Sequence, residues 1–227
     1  ADWIQKFNDC YAIELEKVIN NDLYPSDGIL SMGQAVRLVS EKTNGKAICV
    51  SDVGQHQMVA ARYFKFNQSK SVVTSGGLGT MGFGLPAAVG AQMGRPDRTV
   101  VTFIGDGGFQ MTADELTTAV QEGANVKIAI MNNSFLGMVR QWQEFFFEKR
   151  YSAVNMKSPD FVKLAEAHGV PARRVTTHDE VAEAIEWARK TEGPVVLEFR
   201  VEQEEAVYPM VPAGAALHEM IRRPVKS

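Results

Sequence analysis

From about residue 30 onward, short runs rich in β-branched residues alternate with longer amphipathic segments, and this alternation leaves few folds open to the chain. Strands separated by helices pair in parallel, and a parallel sheet has to be covered on both faces. Apolar runs from Ala47 to Ser51, Ser71 to Thr74, Thr99 to Ile104, Lys127 to Met131, Ala172 to Val175 and Pro194 to Arg200 read as strands. Helical spacing is found from Met32 to Glu41, Gln55 to Tyr63, Gly82 to Met93, Thr112 to Glu122, Met138 to Phe146, Asp160 to His168 and Asp179 to Lys190. The expectation is an α/β protein with a doubly wound, mainly parallel six-stranded sheet and helices on both faces. Thr112 with Glu115 fits a capping box, and Ser158-Pro159 fits a helix start.

In such sheets ligands bind beyond the carboxyl ends of the strands. Each Gly-rich or amide-rich cluster falls there: Asp52 to His56 after the first strand, Ser75 to Gly79 after the second, Gly105 to Gly108 after the third and Asn132-Asn133 after the fourth. By itself, Gly105-Asp106-Gly107 reads as a tight turn or as part of an anion site. Its context favours the second. Asp106 supplies a hard anionic oxygen, Asn133 an amide oxygen, and the backbone carbonyl near Phe135 a third ligand, a set that suits Mg²⁺ shared with phosphate oxygens. Gly105, Gly107 and Gly108 let backbone approach phosphate closely. A helix expected to open near Met111 or Thr112 would turn its N-terminal dipole on the same point.

Composition narrows the class. The 227 residues are 45% hydrophobic and 22% charged, with net charge −3, which argues for one globular domain without a nucleic-acid or membrane-surface footprint. Cys10 and Cys49 show neither disulfide nor metal-ligand spacing, so a reducing, cytoplasmic setting is expected, or a plastid or mitochondrial one in a eukaryote. Apolar stretches stop short of a membrane span and no signal-peptide pattern opens the chain. Residues 1–25 read as a linker and connector helix (Trp3, Ile4, Phe7, Tyr11) and 26–227 as the binding domain; the start at Ala1 without Met suggests a fragment.

The Gly105-Asp106-Gly107 and Asn132-Asn133 pair resembles the signature of thiamine diphosphate enzymes. Val53 to Met58, Thr74 to Gly82, Leu85 to Ala88, Gly137 to Gln143 and Arg150 to Ser152 are similar to the acetolactate synthase family, a likeness that runs from about residue 25 to about residue 220. The resemblance implies thiamine diphosphate and Mg²⁺ as cofactors. Asp106, Asn133 and the main-chain oxygen of Phe135 would ligate the metal, and Val53, Gly54, Gln55, His56, Gly107, Gly108, Leu136 and Gly137 would line the cofactor site. Gly79 would accept a hydrogen bond from the aminopyrimidine, Met81 would wedge the cofactor into its V shape, Met138 would lie over the thiazolium, and Trp142 would shape the acceptor pocket. Read without these neighbours, Met81 and Met138 are core fillers, His56 a satisfied helix-start histidine, and Trp142 with Phe145 to Phe147 part of a subunit contact. Arg140 reads as a surface cation or a contact for a substrate carboxylate. Ser134 and Phe135 depart from the family's commoner polar pair, although only the carbonyl of Phe135 is needed.

The family further implies pyruvate and 2-oxobutyrate as substrates, a homo-oligomer (dimer or tetramer), a small regulatory subunit and FAD bound by another domain. No counterpart of that FAD-binding domain, nor of the pyrimidine-binding domain with its catalytic glutamate, is expected within these residues, so the chain alone should be inactive. A different thiamine diphosphate carboligase or acetyltransferase, or a non-catalytic diphosphate-binding module, is the alternative; no Walker pattern is present.

Overall fold

A computed structural model describes residues 2–25 and 28–224. In chain order it contains α1 (Asp2–Glu14), a π-turn (Leu15–Ile19), α2 (Asn20–Leu23), α3 (Met32–Lys42), β1 (Ile48–Ser51), α4 (Gln55–Tyr63), β2 (Val72–Thr74), α5 (Gly84–Gly94) and β3 (Val100–Gly105). Then follow α6 (Asp106–Met111), α7 (Glu115–Gln121), β4 (Val126–Asn132), α8 (Gly137–Phe146), α9 (Phe161–Ala167), β5 (Ala172–Val175), α10 (His178–Lys190) and β6 (Val195–Arg200).

The six strands form one sheet in the order β2-β1-β3-β4-β6-β5, every neighbouring pair parallel. All residues of β1, β3 and β4 are buried, as a layer covered on both faces requires. One core joins Val36, Val39, Ala60, Phe103, Met131, Ile185, Leu197 and Phe199 under α3, α4 and α10. The other joins Leu85, Val89, Ile104, Phe109, Leu116, Ile130, Phe161 and Val196 under α5, α7 and α9. The chain leaves β1 towards β2 and returns to the far side of β1 as β3. The crevice beyond the ends of β1 and β3 is therefore the point where crossovers diverge, the place such sheets use for ligands.

All six expected strands are present with ends shifted by a residue or two, and the doubly wound expectation holds. The helix after β3 is a correction. It opens at Asp106 itself, with Gly105 extended before it (φ −76°, ψ 159°), and a separate helix begins at Glu115. Two glycines disfavour helix locally. Burial of Phe109 edge-on against Phe161, ring centres 5.4 Å apart, overrides that preference. The Thr112–Glu115 capping box does not form: Asp114 precedes α7 without a side-chain cap, and the Thr112 hydroxyl donates instead to the Gly82 carbonyl at 3.0 Å. Ser158 does not cap α9 either; the Asp160 carboxylate does, accepting from Val162 and Lys163 N–H.

The helix expected from Trp3, Ile4, Phe7 and Tyr11 forms as α1, with those side chains exposed and no residue buried. Ala1 and the residues at the expected 25/26 division, Ser26 and Asp27, lie outside or beside the described residues. Further along, Val18 and Asp22 are buried, and Asp22 accepts a hydrogen bond from Tyr63 Oη at 2.6 Å, so this stretch packs on the sheet's helical cover.

Candidate cofactor and metal site

Three consecutive central strand ends converge on one cavity. It is lined by Met32, Val53 to His56, Met81, Gly105 to Gly108, Met131, Asn133 and Phe135 to Val139. Every residue expected to line a cofactor site is among these except Gly79 and Trp142. Gly79 lies on the exposed 75–80 loop at the rim, in the left-handed region (φ 65°), and a Cβ there would stand 3.9 Å from Val53 Cγ1. Trp142 is 39% exposed, one helical turn beyond Met138, with its ring 4.9 Å from that of Phe146.

Register explains why Asp106 and Asn133 meet. Gly105 pairs with Met131 across β3 and β4, so the residues just past each strand end emerge side by side. Asp106 is buried, accepting from Ser158 Oγ at 3.2 Å. Burial pushes its carboxyl up to about 6, while the N–H of Gly107, Ser158 Oγ and the N–H of Ser134 pull the other way. No cation pairs with it among the described residues. Asn133 folds back through an Asx turn, its Oδ1 accepting from Phe135 N–H at 3.2 Å, and Ser134 takes positive φ (59°) to make the turn.

The amide network behind the cavity was only half visible in the sequence. Gln55 Nε2 donates to Gln141 Oε1 at 2.9 Å and to the Glu205 carbonyl at 2.8 Å, while its Oε1 accepts from Asn133 Nδ2 at 3.3 Å. The Glu205 carboxyl accepts from Met32 N–H at 3.1 Å; burial pushes it up to about 7. Glu205 was missed, for it stands 150 residues from Gln55 and carries no motif; Gln141, fully buried, stood in the Gly137 to Gln143 segment but without a role, its partner Gln55 lying 86 residues away. Asp52 was seen only as part of the cluster after the first strand, without a role. Wholly buried, it accepts from Gly82 N–H (3.3 Å) and Gly84 N–H (3.1 Å) and so ties the loop carrying Met81 to β1.

Glycine at two positions is a matter of space. A Cβ on Gly108 would collide with Asp52 Oδ2, and one on Gly137 would collide with Gln55 Oε1 and lie 2.9 Å from Asn133 Nδ2. A Cβ on Gly107 would fall 2.7 Å from Leu136 Cδ2 and 3.7 Å from Met81 Cε, which shows how closely those side chains close over the backbone.

His56 is not the satisfied helix-start residue it could have been. Its buried Nε2 has no hydrogen-bond partner, and burial lowers its pKa to about 4, so the ring is neutral. Arg140 is neither a surface cation nor free: it is buried, paired with Glu144 and Glu204 at 3.2 Å each, with its guanidinium 4.8 Å from the centre of the Tyr151 ring.

A divalent cation on a diphosphate fits this arrangement. The buried carboxylate lacks a counter-charge, His56 with its unpartnered Nε2 lines the cavity, and Gly107 and Gly108 leave bare backbone at its wall. Among the described residues no group of three or more His, Cys, Asp or Glu could hold a metal, so a site here has to be completed by amide, carbonyl and ligand oxygens.

Comparison with known proteins decides the family. Residues 52–199 match the family described as "Thiamine pyrophosphate enzyme, C-terminal TPP binding domain". The chain belongs to that family. Among curated relatives of this thiamine pyrophosphate domain, it is 49% identical to the mitochondrial acetolactate synthase of Schizosaccharomyces pombe over 176 residues, 78% of this chain and 26% of that protein. It is 42% identical to the acetolactate synthase large subunit of Lactococcus lactis over 203 residues, 89% of this chain and 34% of that one. It is 41% identical to the isozyme 2 large subunit of Escherichia coli over 201 residues, 88% and 36% of the two. A solved Rhodococcus jostii thiamine diphosphate-dependent 4-hydroxybenzoylformate decarboxylase superposes with a TM-score of 0.73 at 30% identity, covering 79% of this chain and 34% of the other. The chain thus spans about a quarter to a third of the length of these relatives.

Proposed function

We propose that this chain is the cofactor- and metal-holding part of an acetolactate synthase catalytic subunit, acting in branched-chain amino acid biosynthesis. The observation that carries the reading is a buried carboxylate without a cationic partner, Asp106, set on the strand end next to the Asn133 turn, within a domain family that binds thiamine pyrophosphate. Asp106, Asn133 Oδ1 and the Phe135 carbonyl hold Mg²⁺, and Gly54, Gln55, His56, Gly107 and Gly108 hold the diphosphate. Met81 and Met138 would hold the cofactor's rings, and Val53, Gly79, Leu136 and Gly137 would complete its surroundings. Trp142 stands at the substrate end. When bound, thiamine diphosphate supplies the carbanion chemistry by which a 2-oxo acid loses CO₂ and its two-carbon remainder is transferred. The protein's residues would orient it and exclude water, and His56 would offer it an Nε2 that has no partner in the protein.

Pyruvate as donor and pyruvate or 2-oxobutyrate as acceptor follow from the likeness to acetolactate synthases, as do FAD, a homo-oligomer and a regulatory subunit for the whole protein. The relatives' names place them in mitochondria and chloroplasts as well as in bacteria, and this chain shares one of those settings; no described helix is long and apolar enough to cross a membrane. The 227 residues by themselves form no acetolactate. Calorimetric titration of the chain with thiamine diphosphate, with and without Mg²⁺, tests the reading: Mg²⁺-dependent binding tighter than that of ATP is expected, and tighter ATP binding would defeat it.

A further inference from the structure

β6 contains a residue that its surroundings do not call for. Glu198 is buried in the middle of a strand that otherwise reads Val195, Val196, Leu197, Phe199, on the face whose neighbours Val196 and Ile130 belong to an apolar core. A buried ion pair is often no more stabilising than apolar side chains of the same size, so folding alone gives little reason for a carboxylate here.

Its contacts lead to the metal site from both sides. Glu198 Oε1 accepts from Asn132 Nδ2 at 2.8 Å, and Asn132 Oδ1 in turn accepts from Ser134 N–H (3.0 Å) and Ser134 Oγ (3.3 Å), which sets the turn carrying Asn133 and Phe135. On its other side Glu198 Oε2 accepts from Arg174 Nε at 2.7 Å, Arg174 being its register partner on β5. The same guanidinium donates to Asp160 at 2.7 Å, and Asp160 lies two residues from Ser158, which donates to Asp106. Arg200 stands further off, 3.5 Å from Glu198. The contacts, with the short stretch from Ser158 to Asp160, run from one expected ligand, Asp106, to the turn carrying the other two.

We propose that Glu198 is a positioning residue for the metal: by gripping Asn132 and Arg174 together, it fixes the Asn133–Phe135 turn relative to Asp106. This rests on the metal assignment made above. Each half of the site is anchored to a different crossover, the turn to the end of β4 and Ser158 to the segment before α9. The halves also meet directly, Met156 N–H donating to the Ser134 carbonyl at 2.9 Å, Leu136 N–H to the Val154 carbonyl at 2.8 Å, and Ser134 N–H facing Asp106; Glu198 adds the side-chain brace behind them, and an ion that demands near-octahedral geometry is the ligand most sensitive to slack there.

The test is the Mg²⁺ dependence of thiamine diphosphate binding to the 227-residue chain, measured by calorimetry beside thermal unfolding. Glu198→Leu should weaken Mg²⁺ by about tenfold to a hundredfold, as loss of outer-sphere partners does, measured well below an unfolding midpoint that falls because Asn132 Nδ2 loses its acceptor. Glu198→Gln, whose amide oxygen still accepts from Asn132, should recover most of that affinity. Unchanged Mg²⁺ affinity in Glu198→Leu, or Glu198→Gln as weak as Glu198→Leu, would overturn the proposal. If Glu198→Leu does not fold, Arg174→Met, changed at a half-exposed position, should weaken Mg²⁺ roughly tenfold, and an unaltered affinity there overturns it equally. Asp106→Ala in the same titration separates the two ideas: if it binds Mg²⁺ normally the metal assignment itself fails, whereas its loss beside an intact Glu198→Leu condemns only the role of Glu198.

Discussion

Both ends of the sheet bury charged and polar groups, yet they treat them in opposite ways. At the amino-terminal edge, Lys127 is held by Asn125 Oδ1 and by the carbonyls of Thr191 and Gly193, at 2.7, 2.7 and 2.9 Å, and Arg98 by the carbonyls of Lys46 and Lys70 and by Ser71 Oγ. These cations stitch loops and the end of α10 to the strands. At the carboxyl-terminal edge, the Asp106 carboxylate meets only neutral donors and His56 Nε2 meets none. A buried polar group that folding alone had selected would be satisfied internally. Among charged groups the contrast teaches where a ligand belongs, at the end where a buried carboxylate has no cation; an orphan beside Arg98, Gln92 Oε1, is a neutral amide oxygen.

Breaking the unsatisfied end should show the larger effects. Asp106→Ala should abolish Mg²⁺-dependent binding of thiamine diphosphate in calorimetry, since the ion loses its only charged protein ligand. Gly137→Ala should come next, because the new methyl group displaces the Gln55 amide from Asn133 and Gln141; a loss of about 1–3 kcal/mol in unfolding free energy, with weakened cofactor binding, is expected from denaturant titration.

Acidity offers a finer cut. Asp106 titrates near 6 in the folded chain, above its ordinary 3.8, so the metal-free fold gains a proton as pH falls through 6 and its carboxylate is lost to the metal. Mg²⁺ affinity should therefore drop by about tenfold for each pH unit below 6, and Asp106→Asn, already weak, should lose that dependence. His56 has the opposite sign: its folded value near 4 lies below 6.5, so between those values only the unfolded chain takes the proton. Its contribution to stability is complete above pH 6.5 and declines towards pH 4, and His56→Asn should flatten thermal stability across that window.

The satisfied end should give the smallest response. Lys127→Met leaves the Thr191 and Gly193 carbonyls without a donor and should cost about 1–2 kcal/mol in unfolding free energy, with cofactor and Mg²⁺ affinity unchanged. A marked fall in Mg²⁺ affinity would erase the distinction between the two edges.

What could be read in the sequence depended on how local each signal is. The strands were legible because burial on both faces makes them continuous apolar runs, and the chemistry because Asp106, Asn133 and the glycines sit at strand ends a few residues from those runs. The start of α6 was not legible, since two glycines speak against a helix that only Phe109's anchorage in the core enforces. The roles of Asp52, Gln141 and Glu205 were invisible for a related reason, although the first two stood in segments the sequence singled out: each acts on the site through a partner far away in the chain. Arg140 stayed open in the sequence because a charged residue on a helix does not show its burial until Glu144, Glu204 and Tyr151 are seen around it.

The bend of the chain from β1 out to β2 and back to β3 has a consequence for how such a domain can change. The cleft is produced by connectivity, so no single side chain creates it and none can close it without abandoning the order of the strands. Variation can therefore reach the rim, where Trp142 and the 75–80 loop stand in solvent, and alter what is accepted there, while the floor that meets the phosphates stays as it is.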